Sequence, residues 1–75
     1  MKRIGETVRI AQGLLVARSP DDGFPDVGSA VMTEELDDVG YVVEIFGPVE
    51  RPYVSITPND DVNPASLLGA PLYAK

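Results

Sequence analysis

Nucleophilic and acid–base catalysis draw on His and Cys more than on other side chains, and this sequence contains neither. Thiol chemistry and the Cys/His zinc sites are therefore excluded by inventory. Four serines are present: Ser19, Ser29 and Ser66 in turn contexts, and Ser55 alternating outward on a predicted strand. No histidine or nearby lysine is available to activate them. Carboxylates come in adjacent pairs, Asp21-Asp22, Glu34-Glu35, Asp37-Asp38 and Asp60-Asp61. Acid–base work needs two carboxylates converging on a substrate with their pKa values driven apart. Neighbours in a surface loop diverge and stay ionised, so these read as solvated charge. Residues 21–26 have a calcium-loop composition, but lack the alternating ligands and closing Glu of an EF-hand. The glycines form neither a G-x-G-x-x-G nor a Walker pattern, and no helix start is available to hold a phosphate. No catalytic residue, metal site or cofactor is expected. The chemistry left is binding.

A binding surface must be held by a fold, and 75 residues form one domain with a small core. Disulfides and zinc are unavailable as reinforcement, which leaves a partner or ions suited to an acidic surface. Seven glycines and seven prolines fall between short β-rich runs, and this spacing predicts an all-β barrel of six strands. The strands are expected at residues 3–10, 14–18, 29–33, 41–46, 53–57 and 71–74. Ile4, Val8 and Ile10 share one side of the first, with Arg3, Thr7 and Arg9 on the other. Gln12-Gly13 supplies a turn, and residues 19–23 a loop. In the acidic connector 34–38, Leu36 is expected to plug the barrel while its neighbours face water. Residues 58–64 read as another acidic, turn-rich loop.

Period-2 alternation assigns faces to the central hairpin. With Glu44 facing solvent, Val42 and Phe46 share its outer side, and Tyr41, Val43 and Ile45 fill the core. Val54 and Ile56 are the core pair of the next strand, with Tyr53, Ser55 and Thr57 outward. Gly47, Pro48 and Pro52 shape the intervening loop: proline fixes its own φ and restricts the residue before it, so the loop costs less entropy to hold in one form. Exposed apolar and aromatic residues gathered on one face mark a binding patch. The expected partner-binding residues are Val42, Phe46, Gly47, Pro48, Val49, Arg51, Pro52 and Tyr53.

Net charge of −6 and a pI near 4.2 constrain the partner. Strong nucleic-acid binders carry clustered Lys and Arg because phosphate neutralisation drives their affinity. Here Arg51 is the one basic residue between Arg18 and Lys75. That balance argues against direct, strong RNA binding. Scarce lysine with paired loop acids suits a high-salt cytoplasm, where surface charge aids solubility. No apolar run approaches the roughly 18 residues of a membrane span, and no signal-peptide pattern occurs, so a cytoplasmic protein is expected.

Val39-Gly40, Phe46-Gly47-Pro48-Val49 and Pro52-Tyr53-Val54-Ser55-Ile56-Thr57-Pro58 form a run too particular for a generic strand pair. Together with Gly5, Val8, Gly28, Val31, Leu36 and the closing Gly69-Ala70-Pro71-Leu72-Tyr73, it resembles the Gar-type small subunit of H/ACA ribonucleoprotein pseudouridine synthases. The likeness covers nearly the whole chain. Thr57 departs from it, standing where a lysine is common. The resemblance implies a six-stranded barrel like the second domain of translation elongation factors. It also implies a non-catalytic role in rRNA pseudouridylation and ribosome biogenesis. The partner would be the pseudouridine synthase catalytic subunit, with the H/ACA guide RNA contacted only indirectly through the complex, and no membrane or small-molecule substrate involved. Docking would bias a mobile loop over the active site, assisting substrate RNA loading and product release. The Gly/Arg-rich tails of eukaryotic members are missing, which points to an archaeal core form. The alternative is a translation-factor-like barrel binding ribosomal RNA or a ribosome-assembly protein.

Overall fold

The computed structural model describes residues 2–19, 25–48 and 50–74. The acidic pair Asp21-Asp22 and the site candidate Val49 lie outside the described residues. Six strands form: β1 (Lys2–Ala11), β2 (Leu14–Arg18), β3 (Ala30–Thr33), β4 (Asp38–Phe46), β5 (Tyr53–Pro58) and β6 (Pro71–Ala74). They close into an antiparallel barrel in the order β1-β2-β5-β4-β3-β6. Closure leaves no strand edge unpaired, which matters in a chain too small to cover one otherwise. The predicted all-β, six-stranded barrel is the fold observed.

The interior is filled by the chain's own side chains, as a barrel of this size requires. Ile4, Leu15, Ala17, Val31, Val39, Val42, Val54, Ile56, Leu72 and Ala74 form one buried cluster. The pair Val54 and Ile56 is where alternation puts it. Β-branched residues dominate because their stiff χ1 rotamers pack well on a pleated surface.

Β-bulges break the alternation elsewhere. In β4 the ladder to β5 shifts register between Val42 and Glu44, so Val43 is an extra residue without its own partner. A bulge of this kind reverses the facing of everything on its far side. Counted from Glu44 toward the loop, the assignment holds: Ile45 packs on the core and Phe46 lies outside it. Counted backward it fails. Val42 is 1% exposed and belongs to the core, whereas Tyr41 and Val43 are 53% and 42% exposed. Val42 is thus removed from the outer patch, and Tyr41 and Val43 are removed from the core. A second bulge, between Thr7 and Arg9, acts likewise on β1: Val8 is exposed and Thr7 is buried.

Leu36 does not plug the barrel. It stands 63% exposed with φ +71°. Thr33 holds the turn in that form: its Oγ1 accepts from the Glu35 and Asp37 N–H groups, both at 3.2 Å, and its carbonyl accepts from Leu36 N–H at 2.9 Å. The apolar side chain that packs against the core from a connection is instead Leu67. It belongs to a short 3-10 helix, Pro64–Leu67, capped by Asn63, whose Oδ1 accepts from Ala65 N–H at 3.1 Å.

Candidate functional site

The strand register sets four side chains in a row across the outer face. Glu6 of β1 lies opposite Arg18 of β2, Arg18 opposite Tyr53 of β5, and Tyr53 opposite Phe46 of β4. The next row inward, Thr7, Ala17, Val54 and Ile45, faces the core, so the outer row rests on a packed floor. The Phe46 and Tyr53 rings stack with centroids 5.5 Å apart and planes 21° from parallel. Such a pair contributes roughly 0.5–1.5 kcal/mol beyond its buried area. On the other side of Tyr53, the Arg18 guanidinium carbon sits 5.2 Å from the ring centroid. The tyrosine is clasped between a ring and a cation, and both aromatics remain half-buried.

Gly47 makes this stack accessible to the loop. Its φ is +93°, and a Cβ there would come 2.9 Å from Tyr53 Cδ2. Only glycine lets the chain leave β4 in that direction with its backbone against the ring. Pro48 follows, exposed. Pro52 is buried, and its carbonyl accepts from Ser19 N–H at 3.0 Å, which prolongs the β2–β5 ladder past Arg18. The Ser19 carbonyl in turn accepts from Arg51 Nε at 3.1 Å. Ser19 therefore pins both the loop's exit and the stem of its arginine, and Arg51 itself is exposed.

Of the residues expected at this site, Phe46, Gly47 and Tyr53 come together in direct contact. Pro52 and Arg51 join them through Ser19, and Pro48 is exposed at the loop. Val42 is not part of it, for the reason given by the bulge. Four residues join the site that the sequence did not indicate: Arg18 and Glu6, placed by register, and Tyr41 and Val43, turned outward along β4. The outer face of β4 thereby carries Tyr41, Val43 and Phe46, with the exposed Glu44 between the last two.

Among the described residues no three acidic side chains converge as metal ligands. What the site offers is a rigid apolar and aromatic ledge beside arginines, on a barrel whose opposite end carries Glu34, Glu35, Asp37, Asp38, Asp60 and Asp61.

Two comparisons bear on the family. An uncharacterized protein of Methanothermobacter thermautotrophicus is 35% identical over 77 residues, covering 97% of this chain and 82% of that protein. The family model described as "Gar1/Naf1 RNA binding region" matches residues 1–75. The chain belongs to the Gar1/Naf1 family.

Proposed function

We propose that this protein is a non-catalytic accessory subunit of an H/ACA ribonucleoprotein, docking through the outer face of β4 and β5 on the catalytic subunit of the pseudouridine synthase. The observation that carries the reading is the Phe46–Tyr53 stack, partly exposed and braced by Gly47 and Arg18, in a chain matched over its whole length by this family. Preformed aromatic anchors suit protein docking because few rotamers are lost on binding. Guide RNA is reached through the complex, since a chain of net charge −6 gains little from phosphates. The subunit acts in the cytoplasm without a cofactor. It assists loading of substrate RNA and release of modified product by binding one state of a synthase loop more tightly than the other. A population shift needs that difference in affinity and nothing more.

Co-purification with the synthase of the same organism tests the reading. Wild-type protein is expected to be captured, and the double change Phe46→Ala plus Tyr53→Ala to lose capture while circular dichroism shows an intact barrel. Interface anchors of this type cost about 2 kcal/mol or more each when truncated. Undiminished capture of the double variant would remove the docking face.

The family description's mention of RNA supports a second reading, a barrel that binds ribosomal RNA directly. A mobility-shift assay at low salt separates the two: tight, salt-sensitive binding by the isolated chain favours the second.

A further inference from the structure

The chain has six basic residues against twelve acidic ones, and its arginines are not scattered. Arg3 from β1, Arg18 from β2 and Arg51 from the β4–β5 loop line one open groove of about 190 Å³, with Gly5, Glu6 and Val8. Segments far apart in sequence thus deliver three of the scarce cations to a single place. Gly5 opens it. A side chain there would overlap the Arg18 carbonyl, and its φ of +143° is one that L-residues avoid.

Two of the arginines are braced by neighbours, and the third forms an exposed ion pair. Arg18 lies over the Tyr53 ring, Arg51 is tethered by Nε to the Ser19 carbonyl, and Arg3 is 3.6 Å from Glu6. That Arg3–Glu6 contact is the one ion pair among the described residues, so Arg18 and Arg51 have no carboxylate partner there. Arg18 Nε is, moreover, buried with no hydrogen-bond partner among the described residues. A buried donor left unpaired costs free energy that a ligand can recover. Among the described residues that line the groove, three guanidinium groups thus face one carboxylate, on a protein of net charge −6.

We propose that this groove is a socket for a carboxylate side chain of the protein partner, seated beside the aromatic ledge and fixing its register. The inference rests on the docking reading above and adds the chemistry of the contact. A guanidinium matches a carboxylate bidentately, and a pair of fixed guanidiniums gains orientation as well as attraction. A single side chain fits a groove of this size. RNA fits it less well, because phosphate binding gains from a track of several cations. Glu6 in the wall and the acid-coated remainder of the barrel would repel a polyanion. A protein surface can set one acidic residue at the socket and basic ones against the rest.

Titration calorimetry of the synthase with wild-type protein and with Arg18→Gln plus Arg51→Gln tests the socket. The double variant is expected to bind about 10- to 100-fold more weakly and with a flatter salt dependence. Unchanged affinity would overturn the socket and leave docking intact. Loss of RNA binding by the same variant, with synthase affinity preserved, would overturn it in favour of phosphate. A second measurement uses the isolated chain: the Nε resonances of its arginines, titrated with acetate at constant ionic strength. Saturable shifts at Arg3, Arg18 and Arg51 with none at the exposed Arg9 are expected, and uniform shifts at all four would overturn the proposal. Saturable shifts in a protein that fails to bind the synthase would refute the docking reading and support the carboxylate site.

Discussion

The bulge in β4 can be tested by truncating two adjacent valines. Val42 and Val43 are chemically identical neighbours, yet strict alternation and the bulged register assign them opposite environments. Val42 is 1% exposed within the core cluster and Val43 is 42% exposed. Val42→Ala removes two fully buried carbons, about 0.8 kcal/mol each by transfer, and leaves a cavity that the closed barrel cannot fully collapse. The sum is about 2–3 kcal/mol. A chain of 75 residues has roughly 4–11 kcal/mol of stability in total. Val43→Ala exposes little that was hidden and falls below about 1 kcal/mol. In thermal denaturation followed by circular dichroism, Tm should drop by roughly 10–20 °C for Val42→Ala and by under about 5 °C for Val43→Ala. Binding should show the reverse order, since Val43 lies on the docking face and Val42 does not. Equal losses of stability, or a larger loss for Val43→Ala, would refute the bulged register and with it the outer face shared by Tyr41, Val43 and Phe46.

Two other positions give sharp expectations. Leu36→Gly should raise stability by about 0.5–1 kcal/mol in urea denaturation, because it relieves a left-handed backbone without emptying the core; Leu67→Ala should lower it, and the opposite pattern would restore Leu36 as the plug. Gly47→Ala should cost about 1–2 kcal/mol from its positive φ. It should also weaken synthase capture by displacing the Tyr53 ring, an effect visible in the aromatic region of the NMR spectrum; an unmoved ring with undiminished capture would show that the loop is not shaped by that glycine.

How far the sequence revealed this structure depended on where the bulges fell. Val54 and Ile56 were legible as core from their alternate places on β5, but Ser55 between them, expected outward, is buried at 5% exposure, so alternation alone does not give its environment. Phe46 was legible as an outer residue because Glu44 anchors the pattern on its side of the bulge. Val42, Tyr41 and Val43 were not, since no glycine or proline marks the extra residue and one slip inverts a face. Leu36 read as a plug because an apolar residue among acids looks buried by composition. Thr33 imposes the left-handed turn through hydrogen bonds that no local pattern announces. Arg18 is hidden for a different reason: its place beside Tyr53 is a matter of inter-strand register, and register belongs to the assembled barrel. The groove of Arg3, Arg18 and Arg51 shares that origin, as its members are neighbours only once the barrel closes.

The central claim is that the ledge around Phe46 and Tyr53, and not the acidic end of the barrel, meets the synthase. Titrating isotope-labelled protein with unlabelled synthase catalytic subunit, and following amide line broadening residue by residue, tests it most directly. The account predicts early broadening at Val43, Phe46, Gly47, Arg51 and Tyr53, with Glu34, Leu36, Asp60 and Asp61 affected only by the general slowing of tumbling. Broadening centred on Glu34 to Asp38 and Asp60 to Asp61, with the ledge signals unchanged, would contradict it.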